Sequence, residues 1–316
     1  MSEGEMSDGE MSDGERARCG LVAVIGAPNA GKSTLVNQLV GQKVAITSAK
    51  AQTTRARLLG IALAKVDDGG EAQLILVDTP GIFAPKRRLD RAMVNAAWEG
   101  TISAEAVLLV VDPVKQRRHE LEPLLEALEG RPEHKLLVLN KVDVAKKEPL
   151  LELAQELSAK VGFAEVFFVS ALTGDGVPEL KAHLAALMPR GPWHYPEDQV
   201  SDASERLLAA EVTREQLYRQ LHEELPYDSA VRPESYQQRK DGSVEIHQQI
   251  VIARDSQKPI VLGKRGARIK AIGEEARKEL SQMLGVPVHL FLHVKVDEKW
   301  AESREIFEEI GLDWVR

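Results

Sequence analysis

Apolar runs alternate with helix-like segments along the first 190 residues of the chain. The runs are short and almost continuous in apolar side chains, which is typical of strands buried on both faces of a sheet. The strands predicted in this way are residues 21–25, 106–111, 136–139 and 166–169, and the predicted helices are residues 35–40, 121–128 and 177–187. This alternation predicts an α/β domain that has a mostly parallel sheet with helices on both faces.

One pair of segments in this region has a different pattern. Residues 58–66 alternate like a strand, residues 67–70 read Asp-Asp-Gly-Gly, and residues 73–77 are again apolar. Two strand patterns joined by a glycine-containing turn predict an antiparallel hairpin.

The second part of the chain predicts a smaller α+β domain. Residues 207–221 have the spacing of an amphipathic helix, and residues 244–253 and 288–296 have strand patterns. Three prolines between positions 189 and 196 stiffen the connection between the two parts. The predicted division is a disordered acidic tail at 1–18, a nucleotide-binding domain at 19–190, a linker at 191–203, the α+β domain at 204–300, and a C-terminal helix and tail at 301–316.

Composition and charge limit the classes of function. The repeats at residues 1–15 contain six acids and no bases, which predicts a disordered, solvating tail. A net charge of −8 excludes a general affinity for polyanions, so any nucleic-acid surface must be local. The single cysteine, Cys19, excludes an intramolecular disulfide and fits a reducing cytosol. No apolar run approaches the ~18 residues of a membrane-spanning helix, and the acidic N-terminus is unlike a signal peptide.

A phosphate-binding loop lies between the first predicted strand and the first predicted helix. It comprises Gly26, Ala27, Pro28, Asn29, Ala30, Gly31, Lys32, Ser33 and Thr34. Gly26, four residues, and then Gly31-Lys32-Ser33 match the P-loop spacing, in which backbone N–H groups cradle phosphates. Lys32 supplies positive charge near the β and γ phosphates, and the Ser33 hydroxyl is a ligand for Mg²⁺.

Asp78, Thr79, Pro80 and Gly81 follow the second strand of the hairpin. A carboxylate at the end of a strand beside a P-loop is placed to hold the magnesium shell, through water. Gly81 can present its N–H to the γ-phosphate because no side chain blocks the approach. The polar segment at residues 43–54 lies where a nucleotide-sensing loop is expected.

Base selection is predicted at the ends of the next two buried strands. Asn140, Lys141, Val142 and Asp143 follow one strand, and Ser170, Ala171 and Leu172 follow the next. Asp143 offers two acceptors that match the N1–H and N2 amine of guanine, whereas adenine would leave the carboxylate unpaired. Asn140 ties the loop together, the stem of Lys141 covers the base, and the N–H of Ala171 is a candidate donor to guanine O6. Asn140 and Asp143 therefore disfavour an ATP-using kinase.

A basic GXXG loop lies between the two strands of the second domain. Gly263 and Gly266 bracket Lys264 and Arg265, and Arg268 and Lys270 follow in a predicted helix. Residues 258–278 contain seven bases and two acids, whereas residues 201–316 as a whole contain 18 bases and 21 acids. A GXXG loop clamps the backbone of single-stranded RNA, so these six residues are the predicted RNA-binding residues.

Taken together, these motifs resemble the Era family, which comprises bacterial GTPases with a C-terminal type II KH domain. The similarity spans residues 19–316 and includes residues 50–55 (Lys-Ala-Gln-Thr-Thr-Arg), 191–193 (Gly-Pro-Trp), 196–199 (Pro-Glu-Asp-Gln) and 224–227 (Glu-Leu-Pro-Tyr). The resemblance implies GTP and GDP as ligands, and binding of the 3′ end of 16S ribosomal RNA in assembly of the 30S subunit. It also implies a cytoplasmic protein, expected to be a monomer, that partly associates with the inner membrane. By the same resemblance Thr54, rather than Thr53, closes over magnesium in the GTP state, which gives Ser33, Thr54 and Asp78 as the magnesium residues.

The expected catalytic residues are Lys32, Thr54 and Gly81. Many GTPases place a glutamine after the Asp-x-x-Gly motif to orient water, but here the position is Ile82. Hydrolysis must then depend on magnesium, Lys32 and backbone donors. We hypothesise that Asn29 helps to bind a potassium ion beside the phosphates, and the alternative is an ordinary loop residue.

Two other functions remain open at this stage. The second domain could dock a protein or a membrane partner instead of RNA, or the chain could bind RNA and use GTP only as a structural ligand. His289 and His293 share one strand face but lack a third ligand, which favours a structural role over metal binding. The basic run at residues 86–88 is expected to be solvated.

Overall fold

The structure is a computed structural model of the chain. It describes residues 17–48, 50, 53–83, 85, 87–116, 118–222 and 225–315. The acidic repeats, for which disorder is predicted, lie outside the described residues. So do Ala51, Gln52 and Lys86.

The first part of the chain forms a six-stranded sheet covered by helices. Its elements are β1 (Arg18–Ile25), α1 (Lys32–Val40), β2 (Leu58–Lys65), β3 (Glu71–Asp78), α2 (Arg88–Glu99), β4 (Ala106–Val111), α3 (Arg118–Leu128), β5 (His134–Leu139), α4 (Lys147–Val161), β6 (Glu165–Phe168) and α5 (Val177–Leu187). The strand order is β2-β3-β1-β4-β5-β6, and only the β2–β3 pair is antiparallel. The predicted hairpin and mostly parallel sheet are confirmed, while β1 begins at Arg18, inside the segment predicted as tail.

Two hydrophobic cores lie on opposite faces of this sheet. Successive side chains of a strand point to opposite faces, so Val24 packs against α1 and α5, whereas Ile25 packs against α2, α3 and α4. The strands are therefore buried on both faces, which explains their continuous apolar sequences. Helices α2 and α4 were not among the predicted helices.

The segment at residues 191–203 runs along the first domain and is bonded to it. The side chain of Gln73, which is buried, accepts a hydrogen bond from Tyr195 N at 3.0 Å and donates to Tyr195 O at 2.8 Å. Further along, Ile61 N donates to Val200 O at 2.9 Å, on the open side of β2. The linker therefore covers one edge of the six-stranded sheet.

The second part of the chain forms a three-stranded sheet with three of its helices on one face and the short C-terminal helix on the other. Its elements are α6 (Glu205–Gln220), β7 (Ser229–Gln238), β8 (Val244–Ile252), α7 (Lys258–Leu262), α8 (Ala267–Leu284), β9 (Val288–Val296) and α9 (Arg304–Glu309), with 3₁₀ turns at Asp255–Gln257, Lys264–Gly266 and Trp300–Glu302. The strand order is β7-β8-β9, with β7 antiparallel and β9 parallel to β8. The order α-β-β-α-α-β is that of a type II KH domain, as predicted. The exact domain boundaries stay a prediction.

Strand β7 was not predicted. Its sequence contains Pro233 and several polar residues, which weaken the alternating pattern. Proline is tolerated at edges and bulges, and β7 is an edge strand whose register shifts between Pro233 and Ser235.

The two domains share a hydrophobic cluster. Leu89 and Met93 of α2 pack with Trp300, Ile306 and Phe307 of the C-terminal segment. The helix predicted within residues 301–316 is therefore α9, and it links the second domain to the first.

The two described residues of the basic run expected to be solvated, Arg87 and Arg88, also make specific contacts, although Arg87 remains exposed. Arg87 Nη1 lies 2.7 Å from Asp228 Oδ1 of the second domain. The guanidinium of Arg88 stacks over the ring of Trp314, 4.5 Å from its centre. Both arginines thus contribute to contacts between the domains.

Candidate functional site

The P-loop connects β1 to α1 through two glycines in conformations that other residues rarely adopt. Gly26 has φ 151° and Gly31 has φ 98°. A Cβ atom on Gly26 would lie 2.3 Å from Val110 O, and one on Gly31 would lie 2.2 Å from Asn140 Nδ2. Glycine is therefore required for space as well as for backbone angle at both positions.

The loop and its surroundings form a polar pocket. Among the predicted nucleotide residues, the pocket is lined by Pro28, Asn29, Gly31, Lys32, Ser33, Thr34 and Gly81, and it is closed on the other side by Ile46, Thr47, Ser48, Thr53 and Thr54. Ala27 and Ala30 are buried behind it. The structure therefore brings the P-loop, the nucleotide-sensing loop and the Asp-x-x-Gly segment to one place.

Lys32 is buried at the floor of this pocket. Its Nζ donates to Gly26 O at 3.2 Å and to Ala27 O at 3.1 Å. Burial lowers the pKa of Lys32 to about 8, and the charge of Asp78 opposes this shift. The amine is held by the loop that would surround the phosphates.

Three oxygen-bearing side chains converge beside Lys32. Ser33 Oγ donates to Asp78 Oδ2 at 2.7 Å and lies 2.7 Å from Thr54 Oγ1. Burial raises the pKa of Asp78 to about 6, although hydrogen bonds from Ser33 and Thr54 and the charge of Lys32 favour the carboxylate. Asp78 Oδ1 is buried and has no hydrogen-bond partner within the part of the chain that the structure describes. Hard oxygen donors and an unsatisfied carboxylate oxygen fit Mg²⁺.

The structure distinguishes the two threonines of the sensing loop. Thr54 Oγ1 lies at the group just described, 3.4 Å from Asp78 Oδ2. Thr53 Oγ1 instead lies 2.6 Å from Ser48 Oγ and donates to Lys50 O at 2.8 Å. This geometry favours Thr54 for the magnesium role.

The Asp-x-x-Gly segment is pressed against the P-loop. A Cβ atom on Gly81 would lie 2.7 Å from Pro28 N. Thr79 Oγ1 donates to Val24 O at 2.7 Å, and Ile82 N donates to Gly26 O at 3.0 Å. Pro80 is buried between them. The Ile82 side chain is 7% exposed and belongs to the core.

Asn140 joins the base-recognition loops to the P-loop. Its Nδ2 donates to Ala30 O at 2.9 Å. Its Oδ1 accepts from Lys141 N at 2.8 Å and from Ala171 N at 2.9 Å. Ala171 N is therefore engaged by Asn140 here, and its donation to guanine O6 stays a prediction.

The remaining base-recognition residues lie in the two loops that Asn140 joins to the P-loop. Lys141 has φ 65° and Val142 is half-buried. Ser170 is buried, whereas Asp143 and Leu172 are exposed. An exposed Asp143 is available to pair with a base.

Asp112 was missed by the sequence analysis. It lies at the end of β4, and its Oδ2 is 2.6 Å from Lys141 Nζ. Burial opposes its ionisation, but hydrogen bonds from Lys141 and from the N–H groups of Val114 and Lys115 hold the pKa of Asp112 below its usual value. An acid directly after a buried strand, next to the strand that carries Asn140, was the available signal.

The GXXG loop joins α7 to α8 in the second domain. Gly263 and Gly266 have φ 71° and 78°, and Arg265 between them has φ 53°. A Cβ atom on Gly263 would lie 2.7 Å from Arg268 Cβ. This tight loop leaves Lys264 and Arg265 exposed at its tip.

The basic residues continue along α8, where Lys270 and Arg277 line a groove. Arg268 is half-buried and donates to Ile260 O at 3.3 Å, and Lys270 is exposed, 3.8 Å from Glu274. The groove of about 300 Å³ lies between α8 and β9, and its lining comprises Ile269, Lys270, Gly273, Glu274, Arg277, Leu290, Phe291 and Leu292. The β9 side of this groove was not predicted, because an alternating strand looks the same whether or not it borders a ligand site.

None of the helices described is both long and apolar enough to span a membrane. No group of three or more His, Cys, Asp or Glu side chains is arranged to hold a metal in that part of the chain. His293 lies 3.4 Å from Glu234, in an ion-pair arrangement.

Comparison with known families and proteins agrees with this geometry. A family model described as a 50S ribosome-binding GTPase matches residues 21–141, and a KH domain model matches residues 224–301. GTPase Era from Erythrobacter litoralis is 82% identical over 300 residues, which are 95% of this chain and 98% of that protein. GTPase Era from a Bradyrhizobium species is 54% identical over 299 residues, which are 95% and 96% of the two chains.

Two solved structures share the whole architecture. A variant of Aquifex aeolicus Era bound to GDP and AlF₄⁻ has a TM-score of 0.86 at 36% identity. Era in complex with MgGDPNP and nucleotides 1506–1542 of 16S ribosomal RNA has a TM-score of 0.87, also at 36% identity. Each match covers 93% of this chain and 99% of the solved chain. Since its relatives are this similar over nearly their full lengths, the chain belongs to the Era family of GTPases.

Proposed function

We propose that this GTPase binds GTP with Mg²⁺, hydrolyses it slowly, and couples its nucleotide state to binding of the 3′ end of 16S ribosomal RNA during assembly and maturation of the 30S subunit. One observation carries the proposal: a single chain holds a magnesium-type oxygen group beside a P-loop and an exposed basic GXXG loop beside a groove. The solved Era complex with MgGDPNP and 16S ribosomal RNA supports it by its similarity over 93% of the chain.

Nucleotide recognition is divided between two ends of the pocket. Backbone N–H groups of residues 26–34 and the amine of Lys32 bind the phosphates. Asp143 selects guanine, and the stem of Lys141 covers the base. Asn140 holds both ends together through its bonds to Ala30 and Ala171.

Hydrolysis depends on positioning and charge. Ser33, Thr54 and Asp78 would hold Mg²⁺, which when bound neutralises charge that develops on the phosphates. Lys32 and the N–H of Gly81 stabilise the γ-phosphate from the protein side. Because Ile82 cannot orient water, slow turnover is expected.

A monovalent cation completes this proposal. Asn29 lines the pocket at the phosphate end and has φ 63°, with its main-chain oxygen 2.7 Å from Lys141 Nζ. A potassium ion bound by Asn29 would provide positive charge where many GTPases use an arginine.

RNA binding is assigned to the second domain. The backbone of Gly263, Lys264, Arg265 and Gly266 clamps a single strand, and Arg268 and Lys270 attract its phosphates. Bases then enter the groove between α8 and β9, whose apolar side is formed by Leu290 and Leu292.

The family also suggests the setting in which the protein works. We place it in the cytoplasm as a monomer, with peripheral association with the inner membrane. Cell fractionation and light scattering on the purified protein test these assignments.

Crosslinking to total RNA tests the central proposal. The protein is crosslinked in the presence of GTP or GDP, and the bound fragments are sequenced. We expect enrichment of the 3′ end of 16S ribosomal RNA that depends on the nucleotide. Single-turnover phosphate release, with Lys32→Ala as the control, tests hydrolysis independently. Enrichment of unrelated RNA would contradict the RNA assignment, and GTP bound without phosphate release would contradict the enzymatic one.

A further inference from the structure

Arg55 directly follows Thr54, and only 3% of its surface is exposed. A buried guanidinium is tolerated only when its N–H groups find acceptors. It donates four hydrogen bonds of 2.6 to 3.3 Å, to the main-chain oxygens of Pro226, Tyr227 and Ser229 and to the hydroxyl of Tyr218.

All four acceptors belong to the second domain. Tyr218 lies on α6 and Ser229 begins β7, while Pro226 and Tyr227 lie in the loop between them. The same guanidinium is 5.7 Å from the ring centre of Trp300. Arg55 is thus a residue of the GTPase domain whose binding cage is supplied by the RNA-binding domain.

Other parts of the nucleotide-sensing loop are held by the same helix. Thr47 N donates to Glu215 Oε1 at 3.0 Å, and Glu215 is fully buried on α6. Lys50 Nζ donates to the main-chain oxygens of Tyr218 and Leu221, at the end of α6. The described residues of this loop therefore lie between the nucleotide pocket on one side and the second domain on the other.

Lys43 extends these contacts to the RNA-binding helix. Its amine contacts the carboxylates of both Glu215 on α6 and Glu279 on α8. Helix α8 is the helix that begins at the GXXG loop. The sensing loop thus touches α8, which lines the groove, and α6, which packs against α8.

We propose that Arg55 is a positioning residue for GTP hydrolysis, which holds Thr54 at the magnesium group by anchoring the sensing loop in the cage formed by the second domain. The inference rests on the proposed magnesium role of Thr54. It goes beyond that role by making closure of the GTPase site depend on the domain that binds RNA.

Once Arg55 is bound to the second domain, the hydroxyl of the adjacent Thr54 has little freedom to move. Consecutive Cα atoms are 3.8 Å apart, so fixing Arg55 restricts where the Thr54 hydroxyl can lie. Thr54 Oγ1 is 2.7 Å from Ser33 Oγ in the anchored loop. A lysine at position 55 could keep the charge but not the planar fork that reaches several acceptors at once.

The test uses the full-length protein and three substitutions. Arg55→Ala removes the anchor, Arg55→Lys keeps only the charge, and Arg57→Ala removes an exposed arginine two residues along the same segment. We expect kcat for GTP to fall about tenfold to a hundredfold in Arg55→Ala, since displacement of a catalytic group by about 1 Å has effects of this size. The Mg²⁺ concentration for half-maximal hydrolysis should rise, Arg55→Lys should be intermediate, and Arg57→Ala should behave like the wild type.

GDP affinity and circular dichroism separate positioning from loss of folding. Thr54 is assigned to the GTP-bound magnesium shell, so Arg55→Ala should keep the GDP affinity and the spectrum of the wild type. If Arg55→Ala does not fold, Arg55→Lys takes its place throughout. An Arg55 variant that folds and keeps the wild-type kcat and Mg²⁺ dependence would overturn the proposal.

A double-mutant cycle with Thr54→Ala shows whether Arg55 acts through Thr54. If it does, adding the Arg55 change to Thr54→Ala should reduce kcat by no more than about twofold further, because both changes remove one interaction. If the two substitutions reduce kcat independently, so that their effects on the activation free energy add, the positioning role of Arg55 would be overturned and the magnesium role of Thr54 would stand. A wild-type rate and Mg²⁺ dependence in Thr54→Ala would overturn the proposed magnesium role and the inference that rests on it.

Discussion

The carboxylate of Asp112 lies 2.6 Å from the amine of Lys141, in the predicted base-recognition loop. The same amine donates to Asn29 O at 2.7 Å. Asp112 therefore fixes the side chain that is assigned to cover the base, and it does so from a neighbouring strand.

Asp112→Asn should weaken GTP and GDP binding by a similar factor of about tenfold, as expected for losing one charge-assisted hydrogen bond. The asparagine oxygen can still accept the hydrogen bonds that the N–H groups of Val114 and Lys115 donate to Asp112. Fluorescent-nucleotide titration measures the change, and kcat at saturating GTP should be unaffected. The exposed Asp198→Asn serves as the control. A selective loss of GTP over GDP would contradict a role at the base.

Asp143→Asn should change which base is bound. The amide can no longer accept from both N1–H and N2 of guanine, but it can donate to the C2 carbonyl of xanthine. GTP affinity should fall by at least about a hundredfold, a loss typical of unpaired polar groups in a recognition site, while XTP binding should appear. Calorimetry with GTP, XTP and ATP measures this. Asp175→Asn, at a residue of the neighbouring loop that has no assigned contact to the base, is the control, and unchanged preference for GTP in Asp143→Asn would refute the assignment.

Asn29 is expected to make hydrolysis depend on the monovalent cation. The wild-type protein should hydrolyse GTP about tenfold faster in potassium than in sodium, because a fitted cation stabilises charge in the transition state. Asn29→Ala should be equally slow in both buffers. Phosphate release at constant ionic strength provides the measurement. Equal wild-type rates in the two salts would exclude the potassium role.

Gly266→Asp should abolish RNA binding without affecting the nucleotide pocket. A carboxylate in the GXXG loop would repel the phosphate backbone. Gly285→Asp is the matched control. Gly266 and Gly285 have φ 78° and 67°, and neither has an atom within 4 Å of an added Cβ. Fluorescence anisotropy with an oligonucleotide from the 3′ end of 16S ribosomal RNA should show loss of binding for Gly266→Asp only. GTP hydrolysis in the absence of RNA should match the wild type in both variants, and equal RNA affinity in both would contradict the assignment.

The sequence was sufficient for the parts of the site that are local. The P-loop and Asn140 to Asp143 each directly follow a buried strand, and Asp78 to Gly81 begin at the last residue of one. Parallel strands bring their C-terminal ends together. The GXXG loop is likewise contained in a few consecutive residues. The conformation of such segments can be predicted from their glycines, the length of the preceding strand and the spacing of the motif residues.

What the sequence could not show depends on distant partners. Nothing near Asp112 in the chain indicates that Lys141 lies beside it. Nothing near Arg55 indicates that its acceptors are Tyr218, Pro226, Tyr227 and Ser229. Arg87 and Arg88 have the composition of a solvated run, but tertiary contacts with Asp228 and Trp314 determine where they lie. Strand β7 was missed because Pro233 lies at a bulge, where the usual strand rules are relaxed.

The linker limits how the second domain can move. Leu59 N donates to Asp202 Oδ1, and Ser201 Oγ donates to Leu59 O. Residues 194–202 are therefore fastened to the margin of the sheet, and a change in orientation of the RNA-binding domain has its natural pivot in the short stretch between Asp202 and the start of α6. Lengthening the chain at that pivot should alter the dependence of RNA binding on the bound nucleotide. The same insertion in the loop between α4 and β6 should alter it far less.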